Sequence, residues 1–175
     1  MRDSRLRDDE FTAYVAARRS HLRRTAYFLC GDWEAAEDLV QVALAKLYVA
    51  WPRVYRDGSP EAYARRILVR VHIDETRRPW RRERTSAELP DVAAREGLPV
   101  EERAALLAAL ADLPTGQRRA VVLRHWLGLS VEEAAADLGC SIGTVKSQTA
   151  RAVTRLRAAL SESAPTTEDA HEHTR

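Results

Sequence analysis

The sequence predicts an all-α fold of two small helical domains joined by a flexible linker. Helical periodicity runs through most of the 175 residues, and no alternating apolar and polar run bounded by turns is long enough to suggest a sheet. A polar stretch interrupted by Pro79, Pro90 and Pro99 divides the chain. The predicted segments are a first domain at 1–78, the linker at 79–100, a second domain at 101–160 and a disordered tail at 161–175.

Three helices are predicted in the first domain. An apolar stripe indicates a helix over residues 9–30. Asp32 is a good cap for a second helix, which is expected to stop near residue 50 because Pro52 follows. Ser59 caps a third helix at 60–78, with proline at its first position. These signals predict three consecutive helices.

The second domain is predicted to contain two helices followed by a helical hairpin. The two helices cover residues 101–112 and about 115–127, and the hairpin covers residues 129–160. Ser130 and Glu133 have the spacing of a capping box at the start of the hairpin. Further along, a glycine can end the first helix of the hairpin and a serine can cap the second. The pattern is that of a helix-turn-helix.

One face of the last helix carries side chains suited to DNA. Donors of this kind bind base edges and phosphates when a helix enters the major groove. A plain helical hairpin with a solvated basic face is the alternative interpretation. The candidate DNA-binding residues are Thr144, Lys146, Ser147, Gln148, Arg151 and Arg155.

Charge supports DNA binding only locally. The net charge is +2 and the pI is about 8.7, which does not by itself indicate a nucleic-acid-binding protein. Residues 61–84, however, hold eight arginines and four acidic residues, as a phosphate-facing surface requires. The first ten residues are charged and lack the apolar segment of a signal peptide, so a cytoplasmic location is expected.

The sequence contains no motif for catalysis or metal binding. Neither a glycine-rich phosphate loop nor a nucleophile motif is present. Cys30 and Cys140 are isolated from each other in the sequence and are expected to be ordinary small core residues. We therefore expect no catalytic residue, cofactor, metal site or small-molecule substrate, and no membrane insertion.

Three sequence segments resemble the extracytoplasmic-function sigma factors, the smallest members of the bacterial sigma-70 family, and within them the SigE-like branch. GCSIGTVKSQTARAVTRLR (139–157) resembles their recognition helix. DWEAAEDLVQVALAKLY (32–48) resembles the helix that docks on the clamp coiled coil of RNA polymerase, although Val42 stands where an acidic residue is common. YARRILVRVHIDETRR (63–78) resembles the helix that reads and opens the minus-10 element.

The resemblance implies a sigma region 2 bundle at the N-terminus and a sigma region 4 helix-turn-helix at the C-terminus. It assigns the six candidates on the last helix to the minus-35 element. For the minus-10 element it implies Tyr63, Arg66, Arg70, Arg77 and Arg78. For docking on core polymerase it implies Asp38, Leu39, Gln41, Ala45 and Tyr48.

The predicted function is that of a sigma factor, which binds core RNA polymerase and directs initiation at specific promoters. Its implied partners are core polymerase and promoter DNA, and an anti-sigma protein is a further partner that the resemblance allows. The alternative is a free-standing helix-turn-helix regulator that acts without polymerase, usually as a dimer on a palindrome. An all-helical enzyme has no supporting motif.

Overall fold

The computed structural model describes residues 2–77 and 99–162, and within these ranges the chain forms helices and short turns without a β-strand. The all-α prediction is confirmed. No helix in the two ranges is long and apolar enough to cross a membrane. The helices are α1 (Arg2–Cys30), α2 (Trp33–Asp57), α3 (Pro60–Thr76), α4 (Val100–Ala111), α5 (Thr115–Val121), α6 (Val131–Leu138) and α7 (Ile142–Glu162), with a π-helical turn (Val122–Trp126) directly after α5.

Helices α1, α2 and α3 surround one apolar core. Asp32 and Ser59 cap α2 and α3 as predicted, because their side-chain oxygens accept hydrogen bonds from amides three residues on, at 2.7 and 3.3 Å. Trp51 is buried in this core. The rings of Phe11 and Tyr14 lie against it, with centroids 5.2 and 5.1 Å away. The bundle fixes the outer faces of α2 and α3.

Helix α2 continues past Pro52 to Asp57, so the prediction that it stops near residue 50 is wrong. A proline inside a helix costs about 3 kcal/mol because it removes a backbone hydrogen bond and crowds the preceding turn. Trp51 and Val54, close to it on either side, are buried in the core. Burying a large apolar side chain contributes about 1.5–3 kcal/mol. Burial of Trp51 and Val54 in the core therefore offsets the free-energy cost of Pro52 within the helix.

Helix α1 begins at Arg2, well before the predicted start at residue 9. The additional turns are mostly polar and so give no periodic signal. Asp8 accepts a hydrogen bond from the hydroxyl of Tyr48 in α2 at 2.8 Å, and Arg7 donates to the same hydroxyl at 3.3 Å. Contacts with a helix distant in sequence thus stabilise the first turns of α1.

The prediction of one α-helix over residues 115–127 is wrong in its second half. There the chain widens into the π-helical turn, closed by a hydrogen bond from the amide of Leu127 to the carbonyl of Val122 at 3.1 Å. The turn brings Trp126 against Phe28 of α1, with ring centroids 4.5 Å apart. Apolar periodicity does not distinguish an α-helical turn from a single π-helical turn, so the π-helical turn is not predictable from the sequence pattern.

The second core contains side chains from both predicted domains. Most of it comes from α5, the π turn, α6 and α7, with Leu123 and Val145 buried near its centre. Leu29 of α1 and Val69 of α3 belong to the same cluster, and both are 0% exposed. The N-terminal bundle therefore packs directly against the C-terminal helices. Most of the predicted linker, at 79–100, lies outside the described residues.

Candidate nucleic-acid interface

The start of α6 is fixed by the predicted capping box. The amide of Glu133 donates to the hydroxyl of Ser130 at 3.0 Å, and the amide of Ser130 donates to the carboxylate of Glu133 at 2.8 Å. These hydrogen bonds hold the pKa of Glu133 below its usual value, because they stabilise the charged form. The box is confirmed, and it sets where the helix-turn-helix begins.

The turn between α6 and α7 also follows the sequence signals. Gly139 ends α6 in the left-handed conformation, at φ 67° and ψ 38°, which glycine adopts without strain. The hydroxyl of Ser141 then accepts a hydrogen bond from the amide of Thr144 at 3.1 Å and caps α7. These two residues set the direction in which α7 leaves the turn.

Helix α7 separates an inner face from an outer one. Val145 and Ala152 are buried against α5 and α6, as the periodicity predicts. The half-buried Gln148 lies beside Gly116 of α5. The other five candidates for the minus-35 element are exposed, namely Thr144, Lys146, Ser147, Arg151 and Arg155.

The outer face of α2 holds most of the residues expected to dock on core polymerase. Asp38, Gln41, Ala45 and Tyr48 are exposed. Leu39, in contrast, is 1% exposed and packs in the N-terminal core, so its side chain supports the helix from within. Of the five residues predicted to dock on core polymerase, Leu39 is therefore the one whose side chain is not accessible to a partner.

Two exposed apolar residues on α2 were not predicted as site residues. Val49 is 82% exposed, and Val42 is also exposed. An apolar residue off the buried stripe of an amphipathic helix is the signal that could have found Val49. Together with the exposed polar residues, they make the outer face of α2 a mixed surface of the kind found in protein interfaces.

The described candidates for the minus-10 element lie on α3 or, in the case of Arg77, at its C-cap. Arg66, Arg70 and Arg77 are exposed and Tyr63 is half-buried. Arg78 lies outside the described residues. The exposed candidates for the minus-10 element and those for the minus-35 element therefore lie in different predicted domains.

A cavity of about 420 Å³ opens beside Tyr63, where α2 passes into α3. The guanidinium group of Arg53 donates to the Tyr63 hydroxyl at 3.3 Å and lies 6.0 Å from the centroid of its ring. Sequence reasoning missed Arg53, which becomes a neighbour of Tyr63 only through the turn between the helices. The lining residues are Arg53, Val54, Gly58, Ser59, Ala62, Tyr63 and Arg66.

Two other aromatic residues, Trp51 and Tyr55, lie in the last turns of α2 and offer rings to compare with that of Tyr63. Trp51 is buried in the N-terminal core, so its ring is not accessible to a base in this conformation. Tyr55 is exposed, but its ring lies against Trp51, with centroids 5.3 Å apart. Tyr63 is the one of the three that lines the cavity.

The contact between the domains contains charged residues that sequence reasoning did not connect. Asp137 of α6 accepts hydrogen bonds from Arg65 and Arg66 of α3. Arg119 of α5 donates from Nε to Nδ1 of His72 at 3.2 Å. Burial, with Arg119 and Arg118 nearby, lowers the pKa of His72 to about 3, so the imidazole is neutral and accepts this hydrogen bond.

Neither cysteine has the surroundings of a reactive thiol. Burial raises the pKa of Cys30 to about 11, although the Asp32 carbonyl accepts a hydrogen bond from the thiol at 3.1 Å. Burial also raises the pKa of Cys140. Since the thiolate is the reactive form, both residues fit the structural role that the sequence predicts.

Comparison with known families matches both halves of the chain. Residues 14–82 match the family described as "Sigma-70 region 2", and residues 103–156 match the family described as "Sigma-70, region 4". The first match contains α2 and α3, and the second contains α6 and most of α7, the two helices of the helix-turn-helix.

Curated relatives and a solved structure agree with these matches. The chain is 41% identical over 155 residues to RNA polymerase sigma-E factor of Streptomyces coelicolor, covering 85% of this chain and 84% of the relative. It is 32% identical over 145 residues to ECF RNA polymerase sigma factor SigC of Mycobacterium tuberculosis, covering 80% and 77%. The sigma factor RpoE of Bartonella quintana, solved in complex with the anti-sigma factor NepR, superposes with a TM-score of 0.71 at 30% identity, over 87% of this chain and 97% of that one.

Proposed function

The chain belongs to the sigma-70 family of RNA polymerase sigma factors, in its extracytoplasmic-function group, and we propose that three of its helices divide the work of promoter recognition. A sigma factor directs initiation of transcription by RNA polymerase. Here α7 reads the minus-35 element, α3 contacts and opens the minus-10 element, and α2 docks on core polymerase. The observation that carries the proposal is the exposure of suitable side chains on all three helices, each held by a buried core.

Helix α7 enters the major groove at the minus-35 element. The groove is wide enough for an α-helix, and residues near the N-terminus of a recognition helix reach base edges. Lys146, Ser147, Gln148 and Arg151 read bases from this end of α7. Arg155, one turn further on, binds phosphate, which adds affinity without sequence preference.

Helix α2 docks on the clamp coiled coil of core polymerase. Asp38 and Gln41 offer polar groups, while Ala45 and Tyr48 offer apolar surface along the same helix. The exposed Val49 adds apolar area beside them. Protein interfaces combine apolar contacts with such polar groups, so this face suits a protein partner better than DNA.

Helix α3 holds the minus-10 element after strand separation. Extruding a base costs a few kcal/mol, which a protein recovers by stacking the base and by binding the backbone with cations. Tyr63 lines the cavity at the start of α3 and offers a ring for stacking. Arg66 at the cavity, with Arg70, Arg77 and Arg78 further along, binds the phosphates.

The functional units follow the predicted boundaries, namely an N-terminal domain at 1–78, a linker at 79–100, a C-terminal domain at 101–160 and a tail at 161–175. Sigma factors are not an enzyme family, and we assign phosphodiester synthesis to core polymerase and no catalytic residue, cofactor or metal to this chain. Such a protein works where RNA polymerase and DNA are, in the cytoplasm.

Because RpoE of Bartonella quintana was solved with an anti-sigma factor, an anti-sigma protein is a proposed partner here as well.

Reconstitution with core polymerase tests the proposal. The purified chain is expected to co-elute with core polymerase at low salt and to direct initiation at a subset of promoters, which sequencing of transcript 5′ ends identifies. Gln41→Ala should weaken retention on core polymerase, whereas Ser20→Ala, an exposed polar residue of α1, should not. Failure of the unaltered chain to bind core polymerase would contradict the proposal.

The same preparation tests the alternative of a free-standing regulator. Such a protein would protect a duplex site from nuclease in the absence of polymerase, usually as a dimer on a palindrome. The family membership does not favour this alternative. A footprint that appears only when core polymerase is present would exclude it.

A further inference from the structure

The docking face of α2 ends at a tyrosine that the first turns of α1 hold in place. The four exposed residues proposed for docking recur every three or four positions and so lie along one face of the helix, namely Asp38, Gln41, Ala45 and Tyr48. Tyr48 is the last of them and is 38% exposed. Its side chain contacts α1, the neighbouring helix of the N-terminal bundle.

The hydroxyl of Tyr48 forms its hydrogen bonds within the chain. It donates to Oδ1 of Asp8 at 2.8 Å and accepts from the guanidinium group of Arg7 at 3.3 Å. A tyrosine hydroxyl has one hydrogen to donate, and here Asp8 accepts it. The exposed part of Tyr48 therefore offers a partner its ring rather than a hydrogen-bond donor.

The ring of Tyr48 is also held from α1. The guanidinium carbon of Arg7 lies 5.3 Å from the ring centroid, within the range of a cation–π contact. The ring of Phe11 meets it edge to face, with centroids 5.0 Å apart and planes at 64°. Side chains from the first turns of α1 thus fix both the hydroxyl and the ring of one residue of α2.

The charged part of this arrangement contributes little to the stability of the fold. Arg7 and Asp8 lie 3.5 Å apart, but their side chains are 37% and 47% exposed, and ion pairs in water are weak. Their contacts with Tyr48 do restrict its rotamers. Ordering a side chain during association costs free energy, so a side chain that is already ordered binds more tightly.

We propose that Asp8 is a positioning residue for the docking of core polymerase, because it holds Tyr48 in the orientation in which its ring meets the clamp coiled coil. This inference rests on the proposed docking role of α2. Asp8 precedes residue 14, where the match to sigma region 2 begins, so the family match assigns it no role. The first turns of α1 act on docking through Tyr48.

Removing the acceptor in the full chain tests this inference. Asp8→Ala should lower the affinity for immobilised core polymerase, measured by surface plasmon resonance, by about three- to tenfold, as for one side chain that must be ordered on binding. Asp8→Asn should recover most of this loss, because its amide oxygen can accept the same hydrogen bond. The recovery separates positioning from an effect of the carboxylate charge.

Asp9→Ala is the matched control. Asp9 is the next residue of the same helix and is exposed, so the substitution removes the same side chain without touching Tyr48. Its affinity for core polymerase should equal that of the unaltered chain. Urea denaturation should give Asp8→Ala and Asp9→Ala similar free energies of unfolding, which shows that a lower affinity does not come from a less stable fold.

A double variant tests whether Asp8 acts through the tyrosine. Tyr48→Phe removes the hydroxyl and keeps the ring, and it should weaken binding by about the same factor as Asp8→Ala. Combining the two should weaken binding no further, because they remove the same hydrogen bond. Combining Asp8→Ala with Gln41→Ala should multiply the two losses, since Gln41 is a separate proposed contact.

Equal affinities of Asp8→Ala and Asp9→Ala would overturn the inference, and so would a failure of Asp8→Asn to recover binding. Losses that multiply in the Asp8→Ala, Tyr48→Phe double variant would also overturn it, since Asp8 would then act independently of Tyr48. If the unaltered chain binds core polymerase while Asp8→Ala binds equally well, only the positioning role is wrong. If the unaltered chain does not bind, the proposed function fails.

Discussion

Helices α7 and α3 both carry rows of cationic side chains, but their surroundings differ. The α7 row lies on the outer face of a helix whose start is set by nearby residues, Gly139 and Ser141. On α3, Arg66 faces Asp137, a residue more than seventy positions away in the sequence. The α7 surface is exposed and its position depends on residues close in sequence. The α3 surface is in contact with the C-terminal domain.

The difference shows that exposure of a cation does not define its partner. Arg151 on α7 is exposed and is proposed to bind DNA, whereas Arg66 on α3 is also exposed and donates to the buried carboxylate of Asp137. Both are arginines of a predicted helix, so the sequence alone does not distinguish their partners. Variants of the two surfaces, and of the cores and caps that hold them, should differ in the size of their effects accordingly.

The largest effect is expected where the N-terminal bundle enters the second core. Leu29→Ala should lower the free energy of unfolding by about 2–5 kcal/mol, because it leaves a cavity among fully buried side chains. Urea denaturation followed by tryptophan fluorescence measures the loss. Leu6→Ala, at an exposed position of α1, should cost far less. Equal small losses in both variants would mean that the domains do not pack together in solution.

Removing a proposed base contact on α7 should affect binding without affecting stability. Arg151→Ala is expected to cost about 1–3 kcal/mol of holoenzyme binding and to relax the preference at one base pair. Affinities for a set of single-substitution minus-35 duplexes measure both effects. Arg157→Ala, exposed further along α7, is the control. An equal loss on all sequences would make Arg151 a phosphate contact instead.

Acid should destabilise the interface beside α3 through His72. Its pKa is about 3 in the folded chain and 6.5 as an ordinary value, so below pH 6.5 the unfolded chain binds the proton more readily. The stability associated with neutral His72 is therefore present above pH 6.5 and is lost as the pH falls from there toward 3. Between pH 7 and pH 5 the expected loss from this group is about 2 kcal/mol.

Urea denaturation at both pH values measures this loss. His72→Gln keeps a side chain that can accept the Arg119 hydrogen bond but cannot be protonated in this range. The fall in stability from pH 7 to pH 5 should be smaller in the variant than in the unaltered chain. The same pH dependence in both proteins would show that His72 is accessible to protons in the folded state.

The smallest effect is expected at the cap of α6. Ser130→Ala should lower the free energy of unfolding by about 0.5–2 kcal/mol, since one amide at the helix start loses its partner. Thermal and urea denaturation measure the change, with Ser20→Ala as the control for replacing an exposed serine. A loss close to zero would mean that tertiary packing alone fixes the start of α6.

Local signals predicted much of the candidate site. The capping box at Ser130 and Glu133, the left-handed Gly139 and the cap at Ser141 each depend on residues within a few positions. The exposed face of α7 then follows from helical periodicity. On α2 the residues were named by resemblance, and the structure exposes four of them but buries Leu39, because the resemblance does not report which way a side chain points.

Signals that depend on distant residues were missed. Helix α2 continues through Pro52 because the core covers Trp51 and Val54, and the π turn places Trp126 on α1. Nothing near Arg53 in the sequence predicts its contact with Tyr63 across the turn. Each depends on a neighbour that only the folded chain supplies.

The sequence by itself determined the helical class, the helix-turn-helix and the family, because caps, turns and apolar periodicity act over a few residues and the family motifs are short. Only the tertiary structure decided that Leu29 and Val69 of the first domain complete the core of the second. It also decided that Asp137 pairs with Arg65 and Arg66. Burial and charge pairing depend on which surfaces meet in space, and neighbouring residues in the sequence do not specify that.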